Sequence, residues 1–97
     1  MTSNAFQGMN IDVITSTVAP GLTQQAGAIR DVIAGVEHQI SLSEENWKGP
    51  DSQQFANKWR SEYQSPLRQL AEELDGLAAT ARSNAAAQQG VSSQLNA

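Results

Sequence analysis

Apolar residues recur at steps of three or four along two long stretches of the chain, and each stretch reads as one face of a helix. In the first, the stripe is Ile11, Ile14, Val18, Leu22, Ala26, Ile29, Ile33, Val36 and Ile40. Gln24, Gln25, Arg30, Asp31, Glu37 and Gln39 fall between them as a solvated face. The pattern predicts a helix over about residues 11–47, with Asn10 or Asp12 placed to cap its start. Pro20 removes the hydrogen bond to the carbonyl of Ser16, so the helix is expected to bend there or to begin only beyond it. The second stripe is Phe55, Trp59, Tyr63, Leu67, Leu70, Leu74, Leu77, Ala81 and Ala85. It predicts a helix over about residues 52–87, kinked at Pro66 by the same mechanism. The last stretch, 88–97, is rich in Gln, Ser and Asn around Gly90 and reads as a flexible tail.

Between the stripes lies Trp47-Lys48-Gly49-Pro50-Asp51. A Gly just past a helical run can take the left-handed conformation that closes a helix, and Pro50 cannot continue one. The chain therefore turns at about residues 48–51. Asp51, with the amide of Gln54 three positions on, offers a side-chain cap for the second helix.

Two antiparallel helices touch along one flank only, and an apolar stripe about 100° wide is broader than one neighbour covers. A second hairpin would bury the remainder. The fold class expected is all-α: an antiparallel helix-turn-helix hairpin, forming one domain, that dimerises into a four-helix bundle. Its core and dimer interface would be Leu22, Ile29, Ile33, Val36 and Ile40 from the first helix and Phe55, Trp59, Tyr63, Leu67, Leu70, Leu74 and Leu77 from the second. Phe55, Trp59 and Tyr63 continue the stripe of Leu67 and Leu70, and so read as core rather than as recognition residues. The Trp47 ring has two roles open to it, an apolar cover for the end of the bundle or an exposed recognition element.

Composition narrows the function classes. With 97 residues and no cysteine, no disulfide framework is available, and stability has to come from packing. The net charge is −4, and the six basic residues are spread among ten acidic ones, which argues against a nucleic-acid partner. Met1 to Asn10 hold no basic residue and no apolar run, and no stretch of about 18 apolar residues occurs. A soluble chain made in the cytoplasm without a cleavable signal peptide is expected. The lone histidine, His38, has no second histidine or cysteine to complete a zinc set. Glu44-Glu45 and Glu72-Glu73 are sequence neighbours that diverge by about 100° on a helix, so neither pair converges on a substrate. No enzyme, cofactor or metal is expected.

Trp47-Lys48-Gly49 near the middle, Phe55 eight and Trp59 twelve residues beyond the Trp, and a length near one hundred resemble the WXG family of helical-hairpin proteins. These are the early-secreted-antigen-like substrates of type VII secretion in Gram-positive bacteria and mycobacteria. The resemblance covers almost the whole chain. It implies export as a folded dimer, either a homodimer or a heterodimer with a second WXG-like hairpin. It also implies that Trp47 and Gly49, beside the partner's C-terminal tail, form a recognition surface for the secretion ATPase, with membrane contact only through that apparatus. Two departures stand out. Asp51 occupies a position where members often have a small residue, and the family's C-terminal Tyr-x-x-x-Asp/Glu element is missing, since no acidic residue follows Asp75. A partner could carry that element. The alternative reading is a cytoplasmic helical-hairpin scaffold or adaptor that is never exported.

Overall fold

The computed structural model describes residues 10–96, with side chains through Val91. Residues 1–9, where the sequence predicts no signal peptide, and Ala97 at the end of the expected tail lie outside the described residues. The fold is an all-α hairpin of two long helical arms joined by a short turn, with no strand among the described residues. The first arm comprises α1 (Ile11–Val13), a π-helical turn (Ile14–Val18) and α2 (Ala19–Asn46). The second comprises α3 (Pro50–Lys58), a second π turn (Trp59–Gln64) and α4 (Ser65–Asn96).

The arm ends follow local chemistry. Asn10 caps the first arm: its Oδ1 accepts the Val13 N–H at 3.2 Å, one of the amides that a helix start leaves unpaired. At the far end the Trp47 N–H reaches the Ser43 carbonyl at 2.8 Å, and the chain then leaves the helix. The expected cap at Asp51 is corrected: the second arm starts at Pro50, with Gly49 in the cap position and no side-chain cap bond. Pro50 at the first helical position has no N–H to satisfy, so the helix can begin there without a side-chain acceptor. Asp51 lies in the first turn, where its charge faces the positive end of the helix dipole.

Neither internal proline ends its arm. Both π turns stop two residues short of a proline, at Val18 before Pro20 and at Gln64 before Pro66. A π turn pairs each carbonyl with the amide five residues on, as the Ala19 N–H does with the Ile14 carbonyl. That widened spacing supplies alternatives for carbonyls that the proline would leave without a donor. Two hydroxyls also bond back along the arms near these turns: Thr15 Oγ1 donates to the Ile11 carbonyl at 2.8 Å and Ser61 Oγ to the Asn57 carbonyl at 2.7 Å.

The expected tail is likewise corrected, since α4 runs on through Asn96. Ala85, Ala86 and Ala87 are strong helix formers, and no proline follows them. One Gly, Gly90, is tolerated at about 1 kcal/mol relative to alanine.

Contacts group the chain into two units. Gln25–Glu73 contains the turn, and its seam between the arms is built from Ala26, Ile33 and Ile40 on one side and Ser52, Ala56 and Ala71 on the other. The other unit joins the first arm up to Gln24 to the second arm from Leu74, with Ala19, Ala78 and Ala85 buried. There Arg82 Nη2 donates to Thr23 Oγ1 at 3.3 Å. On the first arm the buried positions recur every seven residues (Ala19, Ala26, Ile33, Ile40), the period of a coiled-coil seam. On the second arm every buried residue among those described is Ala or Ser (Ser52, Ala56, Ala71, Ala78 and Ala85).

The leucine and aromatic stripe of the second arm is therefore not the core of the single chain. Trp59, Leu67 and Leu74 are half-buried, while Phe55, Tyr63, Leu70 and Leu77 are exposed. On the first arm Ile33 and Ile40 are buried as expected, and Leu22, Ile29 and Val36 are half-buried beside them.

Candidate functional site

Gly49 has φ +127° with ψ −179°, a combination open to glycine and costly for any residue with a side chain. The positive φ expected from the sequence is present, but with an extended ψ it starts the second arm rather than closing the first. The Gln53 N–H returns to the Gly49 carbonyl at 3.3 Å, and Lys48 Nζ reaches back to the Glu44 carbonyl at 2.9 Å, covering the C-terminal end of the first arm.

On this turn Trp47 is 47% exposed, so it does not plug the bundle end of the single chain. Its ring packs at a 40° tilt against Phe55, with centroids 6.0 Å apart, within the range of favourable aromatic pairs. Trp47 and Phe55 together present two partly exposed rings at the turn. A shallow depression of about 190 Å³ lies beside them, lined by Glu44, Trp47, Lys48, Gly49, Ser52 and Gln53.

One turn further along the second arm, Trp59 stacks on Tyr63 with centroids 6.5 Å apart. These rings, with Val36, Ile40, Phe55, Pro66 and Leu67, wall an apolar groove of about 430 Å³ whose charged residues are Lys58 and Glu62. The sequence brings these apolar residues together by helical spacing, and the structure leaves their shared face open.

Behind the groove lies a polar cluster that periodicity did not reveal. Glu37 Oε2 accepts the Trp59 indole N–H and, at 2.6 Å, the Gln64 side-chain amide. Arg60 makes a two-pronged contact with Glu44, Nη1 to Oε2 at 3.3 Å and Nη2 to Oε1 at 3.2 Å, and lies 3.9 Å from Glu37. The hydrogen bonds that Arg60 donates to Glu44 raise its pKa above the ordinary value; desolvation opposes this, and the charges of Glu44 and Glu37 add to it. Arginine is charged throughout the accessible pH range in any case, and so exposed a pair contributes modestly to stability. Glu44, read from the sequence as solvated charge, is thus an interarm partner. The signal that could have found the cluster is the spacing of Glu37 and Glu44, seven apart on one flank of the first arm's seam.

His38 is exposed. Among the described residues no group of three or more His, Cys, Asp or Glu side chains could hold a metal ion, and no helix is long and apolar enough to cross a membrane. No protein-family model, curated protein or solved structure matches the chain.

Proposed function

We propose that this chain is a WXG-like helical hairpin that assembles as a dimer and is exported folded through a type VII secretion system. It would serve there as effector, co-substrate or secretion partner. The observation that carries the reading is Trp47, half exposed on a glycine-dependent turn between two long helices. Such a ring is available to a secretion ATPase in a way that a core plug would not be. The exposed Phe55, Tyr63, Leu70 and Leu77 support assembly, because a row of large apolar side chains left in water favours burial against another hairpin. A second copy is our first choice of partner, and a second WXG-like hairpin carrying the missing C-terminal element is the other. The scaffold reading keeps the assembly and drops the export.

Trp47→Ala tests the proposal. Its half-exposed ring should cost about 1 kcal/mol of stability on removal, leaving helix content by circular dichroism unchanged. Secretion from a host with a type VII system should nevertheless fall strongly. Unchanged export from a stably folded variant would remove Trp47 as the recognition element, whereas no export of the unmodified chain would leave the scaffold reading in its place. A loss of about 3 to 5 kcal/mol would instead make the ring a structural plug.

A further inference from the structure

The second π turn supplies all three donors of the polar cluster: Trp59, Arg60 and Gln64. Trp59 and Gln64 are five residues apart, which in an α-helix sets their side chains about 140° from one another. With the wider π geometry of about 4.4 residues per turn, five residues come round to within about 50°. Both side chains can then reach the same oxygen of Glu37, as they do.

The π turn has a second effect. It accommodates one extra residue, and the faces of the second arm keep their alignment only if that residue is absorbed. The seam runs Ala56, Gln64, Ala71, and the exposed row runs Phe55, Tyr63, Leu70; both step by eight and then by seven. In a regular α-helix an eight-residue step leaves a side chain about 80° off the row. Were the turn to relax to α geometry, Tyr63 and Leu70 would rotate away from Phe55, and Gln64 and Ala71 away from the line of Ala56. Holding the turn wide therefore keeps the apolar row in register across it.

We propose that Glu37 is a clamp on the first arm that holds this π turn and so sets the rotational phase of the second arm beyond it. It is a positioning residue: it shapes the face that Phe55, Tyr63 and Leu70 present without being part of that face. The inference rests on the Gln25–Glu73 unit alone and is independent of export.

Amide hydrogen exchange on the full chain tests it. In Glu37→Ala, amides of residues 59–65 should exchange about tenfold faster or more, while those of residues 78–85, further along the same arm, should be accelerated by a clearly smaller factor. The Trp59 indole N–H resonance should move to a solvent-exposed position. Glu37→Gln, which keeps one acceptor oxygen, should fall between. Deletion of Ser61 supplies the second arm of the experiment: it removes the extra residue, so the chain can run as regular α-helix in phase and no longer needs the clamp. In that background Glu37→Ala should alter exchange by less than about twofold, a comparison that holds even if Glu37→Ala alone fails to fold. The proposal is overturned if Glu37→Ala leaves residues 59–65 unchanged, if it accelerates 78–85 equally, or if its effect is the same with Ser61 deleted.

Discussion

Ile40→Asp is expected to unfold the hairpin, at a cost above about 3 kcal/mol. Ile40 is 0% exposed and is the largest fully buried side chain among the described residues, in the unit that contains the turn. Aspartate there would lose the buried hydrocarbon and place an unpaired carboxylate in the seam. Thermal melting followed by circular dichroism reads the result directly. Leu70→Asp is the contrasting case. Leu70 is 44% exposed, so the same substitution should cost the single hairpin no more than about 1 kcal/mol. If the exposed row is the dimer face, it should nevertheless reduce the mass measured by light scattering from two chains to one. A Leu70→Asp chain that stays dimeric would place the interface elsewhere, and an Ile40→Asp chain that melts normally would remove the seam as the source of stability.

Gly49→Val is expected to destabilise the turn by about 1 to 3 kcal/mol, through the backbone alone. A Cβ at this position would meet no atom within 4 Å, so crowding contributes nothing, and the cost arises from φ +127°. Gly49→Ala should therefore cost nearly as much, with valine slightly worse because β-branching narrows its backbone choices further. Chemical denaturation of the three proteins separates the cases. A large gap between alanine and valine would point to a steric origin, and two wild-type-like variants would mean that the turn can adopt another conformation at no cost.

Both long arms, their class and the position of the turn were legible from periodicity and from Gly49-Pro50, because helical spacing and turn residues act locally. The division of labour among apolar residues was not. Periodicity marks the faces of a helix that avoid water, but alanine carries too little hydrophobicity to stand out, so Ala19, Ala56, Ala71 and Ala78 were passed over as seam residues in favour of the larger stripe. Phe55, Tyr63 and Leu70 accordingly read as core, whereas within one chain they face outward. For Pro20 the sequence leaves open a helix that begins only beyond the proline; the structure instead carries both arms through their prolines, with a π turn on the N-terminal side of each. The Glu37 cluster depends on the extra residue of the second π turn, and no spacing rule for a regular helix brings Trp59 and Gln64 together. At the turn, Gly49 has the positive φ that its place before Pro50 predicts, but the exposure of the Trp47 ring depends on its contact with Phe55 across the hairpin, which no local rule supplies.

The alanine seam also fixes the calorimetric character of the hairpin. Alanine gives up no rotamer freedom when it is buried, so closing the seam carries little side-chain entropy cost. It also removes little hydrocarbon from water. Unfolding a single chain should accordingly show a heat-capacity increment below the usual ~12–15 cal/mol/K per residue, and its stability should vary only shallowly with temperature. A hairpin zipped by methyl groups resists cold better than one held by leucines, and leaves most of its greasy surface uncommitted.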